Sequence, residues 1–166
     1  MSTDPTRRLV SHFPNVALLT QGGERVRFYD DLVKGKVVMI NFMFTSCTAQ
    51  CPLTTANLAK LQLALGSHAG RDVFQVSISI DPAHDRPEVL AGYAARFRAK
   101  PGWTFATGEA ADITLVQTKL GMPQRDGELH TGMLVYGNER KGRWAATPIM
   151  QPPDTLARIV LRVVDL

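Results

Sequence analysis

Residues 36–52 read KVVMINFMFTSCTAQCP, and this stretch decides the fold. The part from 36 to 44 is almost unbroken apolar side chain, which suits a central strand covered on both faces. The part that follows holds the chain's only two cysteines, Cys47 and Cys51, with three residues between them. From about Thr48 to Leu65 the residues Leu53, Ala56, Leu58, Leu61, Ala64 and Leu65 approximate a helical stripe, ended by Gly66 and Gly70. A buried strand, a reactive loop and a helix in that order point to an α/β sheet, where ligands bind beyond the carboxyl ends of the strands.

The flanking sequence repeats the alternation. VALLT-QGGE-RVRFY, residues 16–29, is two β-like runs around a Gly-Gly turn and predicts a hairpin. DVFQVSISI, 72–80, reads as a second buried strand, and the polar loop DPAHDRP follows at 81–87. Pro87 fits the first turn of a helix over about 87–99. WTFAT at 103–107 is a short strand, and 109–120 is a helix closed by Gly121. TGMLVYG, 131–137, and GRWAATP, 142–148, are strands joined by a polar turn. Leu156, Ile159, Val160, Val163 and Val164 mark an amphipathic C-terminal helix after Pro152-Pro153. The order ββ-βα-βα-βα-ββ-α predicts an α/β sandwich around a partly parallel sheet.

Composition narrows the classes. At 166 residues and 45% hydrophobic the chain is one globular domain with a sizeable core. Residues 1–14 form a polar lead-in, so the domain is 15–166. Nineteen basic and fifteen acidic residues give a net charge of +4. The basic residues are scattered, with only short groups such as Arg7-Arg8 and Arg140-Lys141, so no segment reads as a nucleic-acid arm. No apolar run reaches the roughly 18 residues of a membrane span, and the first residues lack a signal-peptide core. That leaves a cytoplasmic protein, or one whose leader or anchor precedes this sequence.

The cysteine spacing carries the chemistry. Residues four apart at a helix start share a face, with Cβ atoms about 5–6 Å apart, so both sulfurs can point the same way. Unpaired N–H groups and the helix dipole at that position favour thiolate and predict lowered thiol pKa values. Thiolate is also the metal-binding form, and soft sulfur favours Cu(I), with Zn(II) as competitor. Redox pair, metal clamp and small structural disulfide all remain open on spacing alone. A third ligand would favour metal. His12 and His68 lie in polar or Gly-rich stretches and read as solvated. His84 sits in the 81–87 loop, as a surface residue or a rim ligand. His130 stands at the entrance of a predicted strand beside 36–44, where a ligand and an ordinary strand-end histidine are both open readings.

Three blocks together resemble a family: VVMINFMFTSCTAQCP, VSISIDPAHDRPEVLAGYAARF, and WTFATG with LHTGMLVYG. They are similar to the SCO/SenC group of the thioredoxin superfamily, over roughly residues 15–165. The resemblance implies a thioredoxin-like three-layer sandwich with a central mixed sheet, an N-terminal β-hairpin and an extra hairpin near the C-terminus. It implies a copper chaperone for the binuclear copper site of cytochrome c oxidase rather than an enzyme. One copper per chain, Cu(I) or Cu(II), would be held by Cys47, Cys51 and His130. Asp81 matches an acidic residue linked to copper handling or partner docking. The partners implied are the copper-receiving oxidase subunit and other periplasmic copper or thiol-redox proteins. The location implied is the periplasmic face of the inner membrane, with residues 1–14 as the remnant of a linker to an N-terminal anchor. The family often has Asp-His-Ser where this chain has Leu-His-Thr, which changes the surroundings of His130. A thiol–disulfide oxidoreductase with Cys47 and Cys51 as its redox pair is the rival reading, and a peroxidase a weaker third.

Overall fold

A computed structural model gives the architecture, and the residues it describes are 13–48, 50–123 and 131–164. Among the described residues seven strands and four α-helices follow the expected order. The N-terminal hairpin is β1 (Ala17–Thr20) with β2 (Arg25–Arg27). Its second strand is shorter than the sequence suggested, because Phe28–Val33 winds into a π-helical turn that buries Phe28, Leu32 and Val33. Then come β3 (Val37–Met43), α1 (Gln50–Ala64), β4 (Val73–Ser79), α2 (Pro87–Arg96), β5 (Trp103–Gly108) and α3 (Ala110–Lys119). The chain ends in β6 (Met133–Asn138), β7 (Arg143–Pro148) and α4 (Pro153–Val164).

The strands form one mixed sheet in the order β2-β1-β5-β4-β3-β6-β7. β3, β4 and β5 are parallel at its centre, while β1 and β6 join them antiparallel. Every residue of β3 is buried, as its continuous apolar sequence requires for a strand covered on both faces. Alternation along β3 sorts the core. Val37, Met39 and Met43 face a cluster with α1, α2 and α4, including Leu58, Leu61, Leu90, Leu156 and Val160. Val38, Ile40 and Phe42 face the other cluster, with α3 and the π-turn, including Phe28, Ile113 and Val116. Helices on both faces of a mixed sheet make the expected three-layer sandwich.

The helix limits have local causes. Pro87 sits at the start of α2, where a missing N–H costs nothing. α2 stops at Arg96, short of 99, and Arg98 turns left-handed with φ 56°. Gly121 closes the segment after α3 with φ 76°, a conformation that L side chains rarely adopt.

Candidate metal centre

The carboxyl ends of β3 and β4 build the site. The cysteine loop leaves β3 after Met43, and Cys51 lies in the first turn of α1 with Pro52 behind it. The Cys51 N–H donates to Cys47 Sγ at 3.3 Å, and the Cys47 N–H donates to the Phe44 carbonyl at 3.2 Å. No disulfide joins the two residues. They differ in access: Cys47 is half-buried, whereas Cys51 has 0% exposure and packs within the core under α1.

That burial corrects one expectation. The helix start predicts a lowered thiol pKa, yet the Cys51 thiol is pushed up to about 11. Burial is the largest cause, because the low-dielectric core penalises thiolate. Hydrogen bonding to Cys47 raises it further, while the Phe44 backbone and the Thr131 hydroxyl act in the opposite sense. The amides of the helix start are present, but desolvation of a fully buried sulfur outweighs them.

Thr131 brings the third expected residue into the account. His130 itself lies outside the described residues. Its neighbour Thr131 is buried, acts on Cys51, and donates from Oγ1 to Gln50 Oε1 at 3.1 Å. A Cβ on Gly132 would stand 2.5 Å from Nε2 at the end of the exposed Gln50 side chain, which shows how near the two segments lie. The Ile149 N–H donates to the Gly132 carbonyl at 2.9 Å, and Asn57 Nδ2 donates to the carbonyls of Ile149 and Gln151 at 2.8 and 2.9 Å. The entrance of β6 is therefore fastened to α1. Among the described residues no cluster of three metal-ligating side chains occurs, and the described part of the site is the cysteine pair.

The loop after β4 shares this edge. The Ile80 N–H donates to the Met43 carbonyl at 2.8 Å. Asp81 is half-buried; its N–H donates to Ser79 Oγ at 3.0 Å, and its carbonyl accepts from the N–H groups of His84 and Asp85. His84 is exposed on that turn. His68 bonds Asp72 at 2.7 Å near the start of β4, at the opposite edge of the sheet.

Two residues beside the site escape a reading of motifs alone. Tyr93 on α2 is buried, its hydroxyl 3.0 Å from Thr55 Oγ1. Burial raises its pKa, the Thr55 hydrogen bond lowers it, and the nearby Cys51 and Cys47 raise it again. The signal was in the chain, since Tyr93 recurs on the inner face of α2 one turn from Leu90. Asp85 is the second, buried among hydroxyls in a stretch whose polar composition signals a surface loop.

Comparison with known proteins decides the family. The SCO1/SenC family matches residues 3–134. The chain belongs to the SCO1/SenC family. A SCO1 protein homolog of Bacillus subtilis strain 168 is 33% identical over 113 residues, or 65% of this SCO1/SenC chain and 57% of the relative. The chain spans about half the length of the curated relatives it matches. The structure of Bradyrhizobium japonicum ScoI with copper bound aligns with a TM-score of 0.72 at 28% identity, covering 89% of this chain and 96% of that one. A SCO1/SenC family lipoprotein from Bacillus anthracis strain Ames aligns at 0.76 and 27% identity, covering 91% and 94%. The thioredoxin-like sandwich is thus the family's fold along nearly the whole chain.

Proposed function

We propose that this SCO1/SenC domain carries one copper ion as cargo, held by Cys47, Cys51 and His130, and delivers it to the binuclear copper site of cytochrome c oxidase. The observation that carries the reading is the packing of the β6 entrance on the cysteine helix. Thr131 acts on Cys51, and His130 is its neighbour in the sequence. Two thiolates and an imidazole form a soft set suited to Cu(I). The structure of Bradyrhizobium japonicum ScoI with copper bound supports the same cargo. Cys47, the half-exposed sulfur, is the group from which a partner's thiolate would take the metal. Asp81, at the same sheet edge, is the proposed contact for copper handling or partner docking. The proposed partners are the copper-receiving oxidase subunit and periplasmic copper or thiol-redox proteins, at the periplasmic face of the inner membrane. Among the described residues no helix is long and apolar enough to cross a membrane.

The test is anaerobic copper titration of the reduced protein beside His130→Ala. The wild type is expected to bind one copper per chain. The variant is expected to keep its fold, lose about 10-fold or more in affinity and change its Cu(II) spectrum, since one donor of three is gone. Equal affinity and an unchanged spectrum would remove His130 from the ligand set. The unequal access of the two sulfurs also suits a second reading, a thiol–disulfide oxidoreductase with Cys47 as attacking and Cys51 as resolving thiol. Reduction of a partner's disulfide at full rate by His130→Ala would favour it.

A further inference from the structure

Asp85 has 0% exposure, and no lysine or arginine pairs with it among the described residues. A carboxylate so placed persists only where donors satisfy its oxygens. Three do. The Thr45 N–H donates to Oδ2 at 3.0 Å, the Thr45 hydroxyl donates to Oδ1, and the Ser79 hydroxyl donates to Oδ2 at 2.7 Å. The Asp81 N–H continues the chain onto Ser79 Oγ. The carboxyl thus accepts at both of its oxygens.

We infer that Asp85 is the positioning residue that holds Cys47 opposite Cys51. The two cysteines depend on different supports. Cys51 belongs to α1 and is fixed by that helix and the core beneath it. Cys47 precedes the helix, in a loop whose course is set by Thr45 and by the bond from its own N–H to Phe44. Asp85 grips Thr45 by both backbone and side chain, two residues before Cys47, and ties it to the end of β4. Its hydrogen bonds go to Thr45 and Ser79. For copper binding this role rests on the reading proposed above; for disulfide formation between the same sulfurs it does not.

The experiment uses the full chain, reduced and equilibrated in dithiothreitol redox buffer. The exchange is protein dithiol plus oxidised dithiothreitol giving protein disulfide plus reduced dithiothreitol. Asp85→Ala is expected to lower this equilibrium constant by about tenfold, some 30 mV, and to weaken anaerobic Cu(I) binding about 10–100-fold. Asp85→Asn is expected to restore both. Its oxygen accepts from the Thr45 N–H and Ser79, and the Thr45 hydroxyl turns to accept from its amide. Thr45→Val, which keeps the backbone bond, is expected to shift both constants in the same direction by less, and Thr45→Ser to leave them at wild-type values. An unchanged disulfide constant in folded Asp85→Ala, with only the urea midpoint reduced, would overturn the role. Should Asp85→Ala fail to fold, an unchanged constant in Thr45→Val would overturn it instead. Should the wild type bind no copper, the cargo reading falls while the disulfide series still judges Asp85.

Discussion

Helices α1 and α4 pack on the same face of the sheet and against each other, yet they are built by different rules. α4 segregates cleanly: Leu156, Ala157 and Val160 turn inward while Asp154, Arg158 and Arg162 face water. α1 mixes its faces. It buries Thr54, Thr55 and Gln62 and exposes Leu53 and Leu63. Each buried polar group has a partner. Thr55 meets the Tyr93 hydroxyl, Thr54 donates to the Cys51 carbonyl, and Gln62 both accepts from the Lys100 N–H and donates to its carbonyl. A helix whose task is packing can be purely amphipathic; one that carries a reactive site gives part of its inner face to hydrogen bonds.

The contrast can be broken at its strongest point first. Leu156→Ala removes a fully buried side chain from α4 and is expected to cost about 2–5 kcal/mol, measured by urea unfolding of the apo protein. A loss under 1 kcal/mol would mean that α4 is not anchored as described. The second effect belongs to α1 and depends on pH. The folded Cys51 pKa, near 11, stands above its ordinary value of 9.0. The folded state therefore holds the thiol proton more tightly, and this contribution is complete below the unfolded pKa and lost as pH rises toward 11. Reduced, metal-free protein is expected to lose roughly 1–2 kcal/mol between pH 8 and pH 10 relative to Cys51→Ala measured alongside. Equal pH slopes for the two proteins would contradict the buried thiol. The smallest effect is expected at Leu53, which is 61% exposed beside the cysteines. Leu53→Ser should change stability by less than about 0.5 kcal/mol, and a larger loss in the same unfolding assay would put Leu53 back in the core.

The sequence reading held where one local pattern was enough. The apolar run of β3, Pro87 at the start of α2 and Gly121 after α3 each state their structure within a few residues. Leu53 misled, because six apolar residues over 53–65 fit a stripe, whereas the helix turns Thr54 and Thr55 inward instead. Phe28–Val33 hid its π-helical turn behind a β-like approach to residue 29. Asp85 was invisible because its donors lie 40 and 6 residues away, and only the sheet brings the ends of β3 and β4 together. The Cys51 pKa followed the same logic. The helix start is a local feature and is legible; the core that desolvates the sulfur is assembled from six other elements, β3 to β6, α2 and α4, and is not.

The antiparallel seating of β6 on β3 has a further consequence, in time rather than space. Val37 lies opposite Asn138, and Ile40 opposite Val135, so 95 to 101 positions of sequence separate the partners in this ladder. Such a closure is slow, because loop entropy is lost before the contacts that reward it are made. The cysteine loop can form with β3, β4 and α1, but Thr131 reaches Cys51 only when the C-terminal third has docked. During synthesis the two thiols would thus emerge and fold well before their last neighbour, leaving a window in which the pair is formed but not yet closed in.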